Sequence, residues 1–269
     1  MGVSLLLLTL VFSFLLGSVP WGIIIARLFF RTDIRTHGSG NIGTTNALRT
    51  LGKRGGGAVF ALDFGKGLLA GLAAWAVASH LAPFLGVPLV DTPPGGLQAL
   101  LGAVTSGGAG DGAAAGAAGG VVAAAAAPTA SATPAGGVLH EADFLMTALA
   151  GCTLGHIFSP WLGFKGGKGI AVAIGCVFVS YGWVGAFIEL GLFAALVALT
   201  RYVSIGSIAA ALLCPVLALV LFWGDWLAVS LGVLLAVAIT WAHRDNIRHL
   251  REGSENRIGK KGGEKRRQH

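Results

Sequence analysis

Three short polar stretches interrupt an otherwise apolar chain, and each carries side chains suited to an anion: residues 38–49 (GSGNIGTTNALR), 165–169 (KGGKG) and 243–250 (HRDNIRHL). In the first, Gly38, Gly40 and Gly43 permit backbone with positive φ, so that successive N–H groups can turn towards one centre. Ser39, Asn41, Thr44, Thr45 and Asn46 add short hydrogen-bonding side chains, and Arg49 adds a planar fork that matches phosphate or carboxylate. The competing reading of this stretch is a solvated loop between two membrane helices. Taken together, the three offer Arg49, Lys168, Arg244 and Arg248 as cations, two glycine-rich backbones, and Ser39, Asn41, Asn46 and Asn246 as neutral partners. If they meet, the set suits phosphate oxygens, two phosphates at once, where a water-soluble phosphate and a lipid can come together.

Whether they meet depends on the apolar elements between them. The chain has 269 residues, 54% hydrophobic and 12% charged, against about 25% charged in a soluble domain, and its mean hydropathy is +0.76. The expectation is an all-α polytopic membrane protein, with residues 1–250 as a single membrane domain and 251–269 as a basic cytoplasmic tail. The formal charge of +7 does not indicate nucleic acid, because the basic residues are neither gathered on one soluble face nor interleaved with aromatics. Cys152, Cys176 and Cys214 are single and widely spaced within apolar runs, which gives neither a disulfide framework nor a Cys-based metal site. No metal and no cofactor is expected.

Residues 4–30 form a long apolar run around Pro20, enough for a kinked span of the usual ~20 residues. No Lys or Arg precedes Arg27, whereas Arg27, Arg31 and Arg35 follow the run, so a cleaved signal peptide is disfavoured and the N-terminus is placed outside. A second span covers 57–82; its Asp63 and Lys66, three apart on one helical face, can pair or point into one interior site. Residues 83–139 turn to Gly, Ala, Pro, Ser and Thr and read as a disordered extracytoplasmic loop. A third span follows at 143–162.

The apolar stretch 170–200 is ambiguous. As one helix it strands ten of the 19 Lys and Arg outside; broken at Tyr181, Gly182 and Trp183, it becomes a short helix out and a longer one back, and all 19 fall on or beside the cytoplasmic face. With spans at 203–222 and 226–242, seven are expected, and the three polar stretches share the cytoplasmic face. Glu189 then lies within the fifth span, read as an interhelical hydrogen-bonding group before a catalyst.

Known motifs are excluded. KGGKG has Gly169 where a P-loop would carry Ser or Thr; Leu250 stands at the Asn position of a kinase catalytic loop; and there is no GxSxG, no HExxH and no HxxxxD. The runs GSGNIGTTNALRTLG, LDFGKG, GHIFSPWLGFKGGKGIA and HRDNIRHLREGSEN, in this order, resemble the bacterial membrane acyl-phosphate:glycerol-3-phosphate acyltransferases. The resemblance spans nearly all the chain outside residues 83–139 and the extreme tail, by which the chain exceeds most of that family in length.

The resemblance implies a seven-span fold in the bacterial inner membrane, its site facing the cytoplasm. It further implies transfer of a fatty acyl group from acyl phosphate to the sn-1 hydroxyl of glycerol 3-phosphate, giving lysophosphatidic acid and phosphate. His243, Asn246 and Lys168 would be the catalytic groups; Ser39, Asn46, Arg49 and Arg244 would bind substrate; backbone N–H groups around Gly40, Asn41, Gly166 and Gly167 would hold the donor phosphate. Implied partners are the two substrates, membrane lipid and, transiently, the soluble enzyme that makes acyl phosphate. On residue type alone His243 reads as well as a helix-end cap, His156 as a packing or supporting group and His37 as a loop residue. His249 stands in place of the family's Arg, Thr44 in place of Ala and Val172 in place of Thr. Two readings from other classes are a transporter of a phosphorylated solute, with basic glycine-rich clusters at helix ends, and a structural membrane protein whose basic face binds lipid.

Overall fold

The computed structural model describes residues 1–90 and 139–258. The first apolar run is two helices, α1 (Gly2–Ser18) and α2 (Trp21–Phe30). Pro20 lacks an N–H and forces its predecessor out of helical backbone, and Val19 is extended at φ −61°, ψ 119°. The break leaves a carbonyl inside the protein, and the Lys66 ammonium takes it: Nζ donates to the Val19 oxygen at 2.8 Å.

After a short helix α3 (Thr44–Thr50), α4 (Gly52–Ala76) carries Asp63 and Lys66 and continues through a π-turn (Val77–Leu81) into a last turn, α5 (Ala82–Phe84). The two-residue strands β1 (Leu89–Val90) and β2 (Leu139–His140) pair in parallel. Thus the start of the 83–139 segment is ordered by α5 and β1, and the expectation for 91–138 lies outside the described residues.

The centre of the bundle is α6 (Glu141–Ile157), along which nearly every side chain is buried, Phe144, Met146 and Leu149 among them. It is followed by a 3₁₀ turn (Pro160–Leu162), α7 (Ile170–Ser180), α8 (Gly182–Thr200), α9 (Val203–Leu221), α10 (Trp226–Ala242) and α11 (Arg244–Arg251). Apolar side chains gain nothing by leaving lipid for one another, so helices associate by close packing of small residues. Here backbones touch: a Cβ on Gly17 would lie 2.0 Å from the Cys152 oxygen, one on Gly155 2.0 Å from that of Phe14, and one on Gly67 2.0 Å from that of Val172. These contacts clamp α1 to α6 and α4 to α7.

The expected break at 181–183 is present. Gly182 takes φ +65°, and the buried Tyr181 donates its hydroxyl to the Cys214 oxygen at 3.0 Å on α9. The span count is coarser than expected. Among the described residues five helices are long and apolar enough to cross a membrane, or six when α10 and α11, bent by 55°, are joined. The shortfall is α7, whose 11 residues rise only about 16 Å against about 30 Å of hydrocarbon. Glu189 makes no interhelical bond through Oε2; its buried carboxyl faces a narrow apolar cavity of about 30 Å³ between α7, α8, α9 and α10. Of the tail, residues 252–258 fold back against the helices, the Ile258 N–H donating to the Arg201 oxygen at 2.9 Å; residues 259–269 lie outside the description.

The glycine clamps carry a directional prediction. Gly155→Ala, which places a methyl group against the Phe14 carbonyl, should cost about 1–3 kcal/mol and lower the detergent melting temperature. Gly57→Ala, with open space around its Cβ, should leave the melting temperature unchanged or raise it. A Gly155→Ala protein as stable as wild type would remove the clamp.

Candidate active site

The first polar stretch is held by one side chain. Asn46, at the start of α3, is 2% exposed. Its Nδ2 donates to the oxygens of Ile34 (3.0 Å), His37 (3.1 Å) and Asn41 (2.8 Å), and its Oδ1 accepts from the Ser39 N–H at 2.9 Å. Expected among the substrate contacts, Asn46 is fully engaged by the loop and acts in this structure as its internal scaffold. Gly38 (φ +60°) and Gly40 (φ +70°) take the left-handed backbone expected of them, and a Cβ on Gly38 would strike the Asn46 Oδ1 at 2.2 Å. Gly43 does not: it caps α3 in extended conformation at φ −80°, ψ 172°.

The arginines around this loop divide into two kinds. Arg35 and Arg27 pair with Asp33 at 2.6 and 3.3 Å. Hydrogen bonding to the Arg35 guanidinium holds the Asp33 carboxyl well below the usual carboxylate range. Arg49, by contrast, is exposed near the end of α3, and among the described residues no hydrogen bond or ion pair engages its side chain. Ser39 is exposed at the tip of the same loop.

The second stretch is clasped from beneath. The Gly166 N–H donates to the Ile157 oxygen (2.9 Å), that of Gly167 to the His156 oxygen (3.0 Å), and that of Gly40 to the His37 oxygen (3.0 Å). These three N–H groups, expected to hold a phosphate, are therefore already engaged. Of the four expected N–H groups that of Asn41 alone keeps no acceptor among the described residues, and in the second stretch the free donors lie further on: the N–H groups of Lys168, of Gly169 at φ +81°, and of the first turn of α7. Together they form a helix N-terminus with its partial positive charge beside Lys168, a ready anion site.

Lys168 joins the second stretch to the third. Its Nζ donates to Asn246 Oδ1. Asn246 Nδ2 in turn donates to Glu255 Oε1 at 2.7 Å, and the Ser204 hydroxyl to the same oxygen at 3.0 Å. Burial lowers the Lys168 pKa; the Glu255 charge opposes this and the nearby Arg49 charge adds to it, which brings the first stretch into the same field. Glu255 was not singled out from sequence, where it is one acid in a basic tail; its only signal was its place in the REGSEN run. It also faces His249, Nδ1 lying 3.7 Å from Oε2, so the residue that replaces Arg remains within reach of a carboxylate.

His243 closes the site at the joint of α10 and α11. It is 2% exposed, and its Nδ1 donates to the Ile239 oxygen at 2.8 Å, so the proton is on Nδ1 and Nε2 keeps its lone pair. Burial first, with Lys168 adding, pushes its pKa down to about 4 against the bond to Ile239. At neutral pH it is an uncharged acceptor and a weak base. Arg244 is exposed, stacks over the Trp241 ring at 4.1 Å from its centroid and donates to the Trp241 oxygen, placing it at the rim. Arg248 pairs with Asp245 at 3.1 Å. Directly under the loop, Lys66 Nζ lies 2.9 Å from Asp63 Oδ1 and 3.0 Å from His156 Nδ1.

The family model described as glycerol-3-phosphate acyltransferase matches residues 7–139 and 116–253. A glycerol-3-phosphate acyltransferase of Rhodopseudomonas palustris (strain BisB5) is 33% identical, over 96% of this chain and 99% of its own length. One of Synechococcus sp. (strain CC9902) is 36% identical, over 96% and 97%. The crystal structure of PlsY (YgiH), an integral membrane glycerol 3-phosphate acyltransferase, in its glycerol 3-phosphate form, superposes with a TM-score of 0.66 at 28% identity, covering 94% of this chain and 96% of that one. These relatives match nearly the whole of this chain and of their own.

Two outcomes follow from the geometry. Asn46→Asp sets a carboxylate against three carbonyls and should loosen the loop, with tryptic cleavage at Arg35 and Arg49 accelerated at least tenfold at unchanged helix content, since each unsatisfied buried group costs about 1–3 kcal/mol. Because the folded His243 pKa of about 4 lies below the ordinary value of about 6.5, the unfolded state binds more protons. Stability present above pH 6.5 should therefore fall as pH drops through that window. Thermal melts of His243→Asn should show a shallower fall.

Proposed function

The chain belongs to the glycerol-3-phosphate acyltransferase family and is an acyltransferase acting on glycerol 3-phosphate, and from that premise we propose that its acyl donor is acyl phosphate, consumed at the cytoplasmic face of the bacterial inner membrane. The observation that carries the reading is the pair of separate anion-binding features: the Ser39–Arg49 side of the first loop, and the α7 N-terminus with Lys168. One suits the phosphate of glycerol 3-phosphate and the other that of the acyl donor.

In this mechanism Ser39, Asn41 and Arg49 hold the glycerol 3-phosphate, with the Gly40 turn shaping the loop. Lys168 and the free N–H groups that follow Gly166 and Gly167 hold the donor phosphate, and Arg244 guards the entrance. The acyl phosphate is an activated mixed anhydride, so the protein mainly orients two anions and offsets their charge. The sn-1 hydroxyl attacks the acyl carbonyl, the carbonyl–phosphate bond breaks, and phosphate leaves. His243 Nε2 and Asn246 orient the hydroxyl. A base of pKa about 4 is poorly matched to neutral pH, so the departing phosphate takes the proton.

The accompanying topology has the N-terminus outside, seven crossings with α7 as the short fourth, and the C-terminus in the cytoplasm. The basic residues 260–267 would draw the tail to anionic headgroups and to the soluble enzyme that makes acyl phosphate, at about 1 kcal/mol per charge for lipid. A transporter reading is not favoured, since the basic clusters gather at one end of the bundle around Lys168.

Purified protein given palmitoyl phosphate and labelled glycerol 3-phosphate should form lysophosphatidic acid; product from acyl-CoA alone would sink the donor assignment. Arg49→Ala should raise the glycerol 3-phosphate KM about ten- to hundredfold, the worth of one charged hydrogen-bonding contact, and an unchanged KM would remove Arg49 from that role. A cysteine at Glu252, in a background free of Cys152, Cys176 and Cys214, should resist impermeant maleimide in intact cells; labelling there would invert the topology.

A further inference from the structure

We propose that Asp63, Lys66 and His156 form a buried positioning assembly that sets the height and register of the 165–169 loop, and through it the placement of Lys168 and the α7 N-terminus for the donor phosphate. The inference rests on the reading of that loop as the donor-phosphate site. All three residues are buried, at 1%, 3% and 4% exposure. An ammonium has hydrogens to give and nothing to accept; Lys66 Nζ donates to the Val19 oxygen freed by the Pro20 break (2.8 Å) and to His156 Nδ1 on α6 (3.0 Å), and it forms an ion pair with Asp63 on its own helix (2.9 Å), whose Oδ1 accepts no hydrogen bond among the described residues. His156 Nδ1 is therefore the acceptor, and its ring proton is on Nε2.

That Nε2 edge lies against the loop. A Cβ built on Gly167 would sit 2.1 Å from it, so only glycine lets the imidazole reach this place. The same residue holds the loop through its backbone, its oxygen accepting the Gly167 N–H at 3.0 Å, and a Cβ on Gly166 would strike that oxygen at 1.9 Å. Lys168 follows directly and reaches Asn246. Helix break, ion pair, imidazole, loop and lysine thus form one chain of contacts. A buried ion pair is seldom a net source of stability, and an apolar pair of similar volume would serve packing as well. What the apolar pair would lack is a fixed ring tautomer and a common anchor for three segments behind a phosphate site.

The test uses full-length protein in proteoliposomes, with acyl phosphate and glycerol 3-phosphate varied separately. Lys66→Met removes the anchor from behind and Gly167→Ala displaces the ring from in front, with Lys168→Ala as reference. Both variants should raise the acyl phosphate KM about tenfold or more, the scale of a small misplacement at a reacting centre, while the glycerol 3-phosphate KM stays within about twofold. Nitrogen-15 histidine spectra should show His156 with its proton on Nε2 in wild type and lose that single form in Lys66→Met. A merely structural role would lower the active fraction for both substrates alike and leave both KM values in place.

An unchanged donor KM in Lys66→Met, alongside a raised one in Lys168→Ala, would overturn the assembly and leave the site reading standing. Unchanged values in both would remove the site reading and the inference with it. If Lys66→Met fails to fold, the Asp63→Leu/Lys66→Met pair, which leaves no unpaired buried charge, carries the same test with the same two outcomes.

Discussion

Within a bilayer no water is at hand to satisfy a backbone group, so each interruption of a helix must find its partners inside the protein. This constraint orders the molecule. The Pro20 break is answered by Lys66, and the long turn between α6 and α7 by the Gly166 and Gly167 N–H groups folding back onto the end of α6. Both repairs converge below the 165–169 loop. The functional face is built where helices stop, by the groups that their stopping sets free.

What could be read from sequence was what residue type and charge distribution dictate. Pro20 announces a kink, and the distribution of Lys and Arg requires a break at 181–183 and a common side for three polar stretches. What could not be read depended on partners distant along the chain. Gly166 and Gly167 look like phosphate-cradling donors until the Ile157 and His156 oxygens are seen to engage them. Gly43 has the composition of a positive-φ turn but serves as an extended cap. Asn46, a polar side chain in a polar loop, gave no sign of being its buried core, because a four-way amide network exists only after the loop has closed.

The site separates binding from proton handling. Exposed Arg49 supplies positive charge that water can reach, whereas Lys168 and His243 are drawn inward, where burial weakens the charged form of each. A neutral His243 with its proton committed to Ile239 is better suited to accept a hydrogen bond than a proton. Family membership says that an acyl group moves to glycerol 3-phosphate. The electrostatics add that His243, with its pKa pushed down to about 4, is a weak base at neutral pH.

Glu255, which braces Asn246 and Ser204, lies beyond the last helix. A chain that ended before residue 255 would therefore keep every described helix and lose the carboxylate that accepts from both Asn246 and Ser204.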